Sequence, residues 1–323
     1  MALSRQSAMS FEMTKVSVSP AIPFAAACIG IATFSAMDAL MKQLSIDLGA
    51  YNAMLWRTAV GVLMAGCLFA FRREKMPTKP ALRLHLLRGG IASVMAILFF
   101  WGIARVPLAE GIALSFIAPL ITLYLAAVML KETIGRSAIT ASLLGIIGVI
   151  VILSGRSGSG QHGPEAVNGI IAIFLSALLY AYNLILQRQQ AQVATPSEIA
   201  FFQSLVVFAI LLISGMIALA AKAVGLVLPF QIVIPAAHHI PAFAGAAFLA
   251  MCSLLLLSWA YARAEAQVLV TVEYTAFIWA ALLGWLIFSE ELTLPLLVGA
   301  ILIIAGCIIA TRRSPVQIEA GQL

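Results

Sequence analysis

Charge is what this chain has least of. Asp, Glu, Lys and Arg make up 10% of its 323 residues, and there are only four histidines. Soluble domains carry about 25% charged and about 45–50% apolar residues, whereas here the apolar share is 63%. A water-facing globular surface is therefore excluded, and the net charge of +6 does not read as a nucleic-acid footprint. Cysteine is also scarce. Cys28, Cys67, Cys252 and Cys307 all lie in apolar runs without CxxC spacing, which argues against a disulfide framework or a zinc site. No HExxH or GxSxG is present, and the glycines of "GRSGSGQHGPEA" (155–166) are not followed by Gly-Lys-Ser/Thr. These absences leave no catalytic residue, metal ligand or cofactor to name. The first 20 residues lack the basic-then-apolar layout of a signal peptide.

What is present is a series of apolar runs near the roughly 20 residues a helix needs to cross a bilayer. They fall near 21–44, 51–71, 84–104, 108–130, 137–154, 167–187, 197–221, 241–263, 266–288 and 293–311. The expected fold is an all-α polytopic membrane protein of ten transmembrane helices. The stretch "LVLPFQIVIP" (226–235) is too short to span, is interrupted by Pro229 and Pro235, and is placed at the membrane surface. Ten spans put both termini on one side. Most of the Lys and Arg between spans fall there, including the cluster "FRREKMPTKPALR" (71–83), against Lys42, Arg105, Arg156 and Lys222 on the other. By the positive-inside rule both termini are cytoplasmic, in a bacterial inner membrane.

The chain repeats itself. At an offset of 158, Trp101 meets Trp259, Arg105 meets Arg263, Glu132 meets Glu290 and Gly148 meets Gly306. Earlier the offset is about 145, so that Asp38 lies near Asn183 and Arg57 near Gln203. The change of offset implies an insertion of about a dozen residues between 203 and 259, where the Pro-rich stretch sits. Five spans per half, an odd number, insert the halves with opposite orientation, an architecture that suits alternating access around a midplane site. The expected division is a tail (1–20), a first repeat (21–154), a linker (155–166), a second repeat (167–311) and a tail (312–323).

The stretch "FFWGIARVPLAEGIALSFIAPLITLYLAAVMLKETI" and its partner "SWAYARAEAQVLVTVEYTAFIWAALLGWLIFSEELTL" resemble the duplicated EamA domain of the drug/metabolite transporter superfamily. The resemblance covers nearly the whole chain. It implies ten spans in two inverted five-helix repeats and export or exchange of small organic solutes, with aromatic amino-acid exporters of the YddG type the best match in kind.

Ionisable groups in hydrocarbon cost about 2.5–3.5 kcal/mol on insertion scales and usually face a cavity or a partner. Asp38 and Lys42, in "FSAMDALMKQLS", are four apart on one helix and able to neutralise each other. They are expected in the central cavity, the alternative for Lys42 being to snorkel to the interface. Glu273 is expected to contact a substrate amine or carry a proton, or to make a structural hydrogen bond. Tyr180 and Asn183 share a helix face, and Trp101 and Trp259 are candidates for stacking on substrate or for the interfacial belt. Arg57 is read as a carboxylate ligand or an interface anchor, and Glu132 and Glu290 as caps or salt bridges between the halves. The histidines are assigned to loops or helix ends without a role. The reading is a monomeric carrier of a small molecule in a lipid bilayer, proton-coupled or a uniporter, without nucleic acid. An intramembrane enzyme or a channel is the rival.

Overall fold

The computed structural model describes residues 21–130, 136–156, 164–191, 193–228, 230–261, 272 and 274–312. Among the described residues eleven α-helices form ten spans. They are α1 (Ala21–Leu48), α2 (Ala50–Phe71), α3 (Lys79–Ile103), α4 (Leu108–Ser115), α5 (Ile117–Leu130), α6 (Arg136–Arg156), α7 (Pro164–Ala191), α8 (Pro196–Ala223), α9 (Ile240–Tyr261), α10 (Thr275–Phe288) and α11 (Leu294–Arg312). No strand occurs among the described residues. Six helices are long and apolar enough to cross a membrane alone, and four shorter apolar helices complete the set. α4 and α5 together make the fourth span. Pro119 has no N–H to offer Ser115, so the ladder breaks near Phe116, whose amide turns back to Ala113 O at 3.2 Å.

The packing shows the inverted repeat directly. Number the spans of each half in order. Span one of each half packs on span three of the other (α1 on α9, α7 on α3), while α2 packs on α8 and α6 on α11, each on its own counterpart. Exchanging the halves leaves this list unchanged, as a two-fold axis in the membrane plane requires. At the α6–α11 crossing the backbones nearly touch. A Cβ at Gly148 would lie 2.6 Å from Gly299 O, and one at Gly299 would meet Gly148 O and Ile152. Small residues at such crossings let van der Waals packing hold helices together where no hydrophobic force between them exists. Helix length follows the same pairing: α1 and α7 have 28 residues each, α6 and α11 have 21 and 19.

The face of the bundle that carries Ala21 and Arg312 is called the terminal face, and the opposite one the distal face. On the distal face, residues 224–228 and 230–236 form no helix and lie as a strap across the start of α2. Asn52 Nδ2 donates to Gln231 O (3.1 Å), Val233 N donates to Asn52 Oδ1 (2.9 Å), and Trp56 Nε1 donates to Val233 O (2.8 Å). This is the short Pro-bearing stretch expected at the surface, and one of its amides and two of its carbonyls bond to side chains of the other half.

Candidate functional site

Three polar groups lie along the seam between the halves. The distal one is built on Lys42, near the end of α1. Its side chain is buried, donates to Val106 O at 2.7 Å and forms an ion pair with Glu290. Glu290 follows a left-handed Ser289 (φ 53°) that ends α10 and sends the Glu290 amide back to Gly284 O at 3.1 Å. Gly284 is required there, because a Cβ would occupy the space of the Glu290 carboxylate. The second carboxylate oxygen of Glu290 accepts from Leu108 N at 2.7 Å, the first amide of α4. Helix N-termini present such unpaired donors and favour an anion. Glu290 is thus both cap and inter-half salt bridge. Phe288 lies 4.8 Å from the Lys42 ammonium, and buried Glu110, in the first turn of α4, also acts on its charge.

The central group is Asp38 with Arg57. Asp38 is 2% exposed, and neither carboxylate oxygen has a hydrogen-bond partner among the described residues. Arg57, on α2, is the cation whose charge acts on it. Arg57 contacts Met54 Sδ at 3.5 Å and leaves its buried Nε unpaired. The expected mutual neutralisation of Asp38 and Lys42 does not form: the lysine is drawn one turn further, to Glu290 and the Val106 carbonyl. Buried polar atoms almost always find a partner, so this orphaned pair marks a place where a polar guest would be welcome.

The third group lies toward the terminal face. Arg88 on α3 donates through Nε to Asn183 Oδ1 (3.1 Å) and through Nη1 to Gln190 Oε1, both on α7. Gln190 Nε2 meets His85 Nδ1, and His85 Nε2 meets Glu198 Oε1 at 2.9 Å, on α8. Phe202 stacks on the imidazole at 5.0 Å. His85 is fully buried, so its assignment to a loop or helix end is corrected: α3 starts at Lys79 and carries it inside. Arg88, Gln190 and Glu198 escaped sequence reading altogether. The available signal was the spacing of Asn183 and Gln190, seven apart and so on one face of α7, against His85 and Arg88, three apart on α3. Gln187, which the offset of 145 sets against Lys42, is exposed.

The remaining candidates are scattered. Trp101 sits at the distal end of α3, its ring 3.6 Å from the Arg105 guanidinium, an interfacial arrangement apart from the central pair. Trp259 packs beside Ala27 and Ile31 of α1. Tyr180 is 38% exposed and acts on the charge of Arg88. Glu273 and Glu132 lie outside the described residues. Two apolar grooves of about 340 and 310 Å³ open on the outside of the bundle, around Trp285 and Trp279, and neither is lined by these polar groups. Among the described residues no group of three or more His, Cys, Asp or Glu is placed to hold a metal ion.

Residues 22–154 and again 167–312 match the EamA-like transporter family. The chain belongs to that family. This EamA-like transporter is 26% identical over 289 residues to the pseudopaline exporter CntI of Pseudomonas aeruginosa, covering 87% of this chain and 92% of that one. Over a shorter stretch of 108 residues it is 26% identical to the aromatic amino acid exporter YddG of Ancylobacter novellus, covering 33% of this chain and 38% of that protein. A solved crystal structure shares its fold with a TM-score of 0.58 at 18% identity, over 89% of this chain and 96% of the other. The protein is thus a multi-pass membrane transporter of two inverted five-helix repeats.

Proposed function

We propose that this EamA-like transporter exports a small organic solute, an amino acid with an aromatic or other apolar side chain or a related metabolite, by alternating access between its halves. The observation that carries the reading is the position of Asp38 and Arg57. A carboxylate without a donor and a guanidinium with an unpaired N–H, near enough inside the bundle for one charge to act on the other, complement the ammonium and carboxylate of a zwitterion. Above and below them, polar bonds cross from one half to the other: Lys42 to Glu290 on the distal side, and Arg88 to Asn183 and Gln190 on the terminal side. Such contacts break and reform when halves rock about a fixed site. The similarity to exporters of two differently named solutes supports outward transport and leaves a second reading, a carrier for a metabolite that is not an amino acid.

The terminal face is assigned to the cytoplasm of a bacterial inner membrane on the positive-inside bias. The tails 1–20 and 312–323 then lie inside, with the linker 155–166 outside between repeats spanning 21–154 and 167–311. Reconstitution tests all of this. Proteoliposomes loaded with a panel of amino acids and unrelated metabolites are expected to release a subset of the amino acids faster than empty controls. Ion current or hydrolysis without solute movement overturns the carrier reading, and release of the unrelated metabolites alone moves it to the second.

A further inference from the structure

The terminal-side cluster is wired so that its hydrogen-bond directions fix the protonation of His85. Arg88 has only donors, so the atom of Gln190 that faces it must be the amide oxygen. The Gln190 amide nitrogen, also a donor, therefore faces His85 Nδ1. That ring nitrogen must accept, and the other, Nε2, donates to the Glu198 carboxylate. Only the neutral imidazole with its hydrogen on Nε2 satisfies every member. A proton added to Nδ1 sets two donors against each other. Turning the Gln190 amide does not help, because its NH2 would then meet Arg88. Imidazolium keeps its bond to Glu198 as an ion pair but loses its bond to Gln190, and its new N–H is set against the amide that Arg88 holds in place on α7.

We propose that His85 is a proton-binding site whose occupation opens the latch between α3 and α7 on the terminal face, coupling proton entry to solute export. The inference rests on the carrier reading and adds its energy source. With His85 neutral, Arg88, Asn183 and Gln190 hold α3 of the first half to α7 of the second. A proton arriving from the distal side converts the ring to imidazolium, whose N–H opposes the Gln190 amide, weakens the α3–α7 latch and opens the terminal side. Loss of that proton to the terminal side restores the acceptor on Nδ1, and the latch closes behind the loaded solute. One proton moves inward for each solute moved outward, and charge is conserved at each step.

Among the described residues the groups around this ring are few. Glu198 of α8 is the carboxylate bonded to it, and Arg88 the cation of the cluster. Tyr180 of α7 acts on Arg88, while Glu74, after α2, accepts from Ser197. On α1, α2 and α4, the other elements packed on α3, the charged groups are Asp38, Lys42, Asp47, Arg57 and Glu110, which belong to the central and distal positions.

The test needs no transported solute, so it fails separately from the carrier reading. Ala92, one turn past Arg88 on the same face and 4% exposed, is replaced by Cys in a chain whose four native cysteines are Ser. An impermeant maleimide is added to either face of sealed vesicles, and labelling is normalised at each pH to denatured protein. From the terminal face, labelling is expected to rise as pH is lowered, with a limit of roughly tenfold per pH unit for one linked proton. His85→Gln is expected to abolish that rise, since an amide donates to Glu198 but takes up no proton. Gln190→Glu is expected to invert it, because a carboxylate accepts from both Arg88 and imidazolium and closes the latch at low pH. A rise that survives in either variant, or none in the parent, overturns the proposal.

Discussion

The two halves share a backbone and differ in chemistry. α1 carries Asp38 and Lys42, both ionisable, where its counterpart α7 carries Asn183 and Gln187; α2 carries Arg57 where α8 carries Gln203. The helices pair as a two-fold axis demands, yet charge is concentrated in the first half and amides in the second. An amide donates and accepts at once, so the second half serves as a directional connector for the first half's cations, as Asn183 and Gln190 do for Arg88. A symmetric frame permits two equivalent states; unequal side chains decide which is favoured and by what. The distal contact is a fixed charge pair, the terminal one a relay that depends on a single proton.

Breaking the distal pair should have the largest effect. Glu290→Gln leaves Lys42 buried with an uncompensated charge, a class of change that costs about 3–5 kcal/mol, read as a drop in melting temperature in detergent. Adding Lys42→Met to it is expected to recover much of that loss, and a double variant no better than the single one would show that the pair is not the cause. Next come the symmetric crossings. Gly148→Ala pushes a methyl against Gly299 O and Ile303 and should cost about 1–3 kcal/mol, the range for overpacking. Its partner Gly299→Ala is expected to match it in the same thermal assay, as the two-fold axis requires.

Making the first half resemble the second sharpens the comparison further. Asp38→Asn and Arg57→Gln copy the residues of α7 and α8 and are expected to preserve folding while weakening solute affinity about tenfold, or about 1.4 kcal/mol, in equilibrium binding. Unchanged affinity in both would remove the central pair from recognition. The smallest effect belongs to Trp101→Leu. Losing the stack on Arg105 removes a cation–π contact of about 0.5–1 kcal/mol, which should appear in stability and leave transport rates alone.

The sequence was most informative where pattern is local or repeated. Ten apolar runs, the 158-residue offset and the misfit insertion at 226–235 follow from helix length and duplication, and all three return as spans, paired helices and a strap. Glu290 was legible because its counterpart Glu132 stands in the same register. The partners of buried charges were not. Lys42 reaches a carboxylate 248 positions away rather than the aspartate one turn before it, and His85 meets residues 105 and 113 positions on. Such contacts depend on how spans are juxtaposed, which periodicity does not encode. Arg88 hid in an apolar run because its partners are neutral amides, so no opposite charge announced it.

The lengths of the helices carry a last consequence. At 1.5 Å per residue, α1 and α7 run about 42 Å, while α11, on the axis, runs only about 28 Å. Hydrocarbon is roughly 30 Å thick, so the long pair has length to spare for leaning and the short one has almost none. Leaning helices change their angle when the bilayer thins or thickens, whereas upright ones stay put. Lipid chain length thus becomes a control knob: vesicles of shorter and longer phosphatidylcholines should set different ratios of terminal-open to distal-open protein, without any change in the side chains that bind.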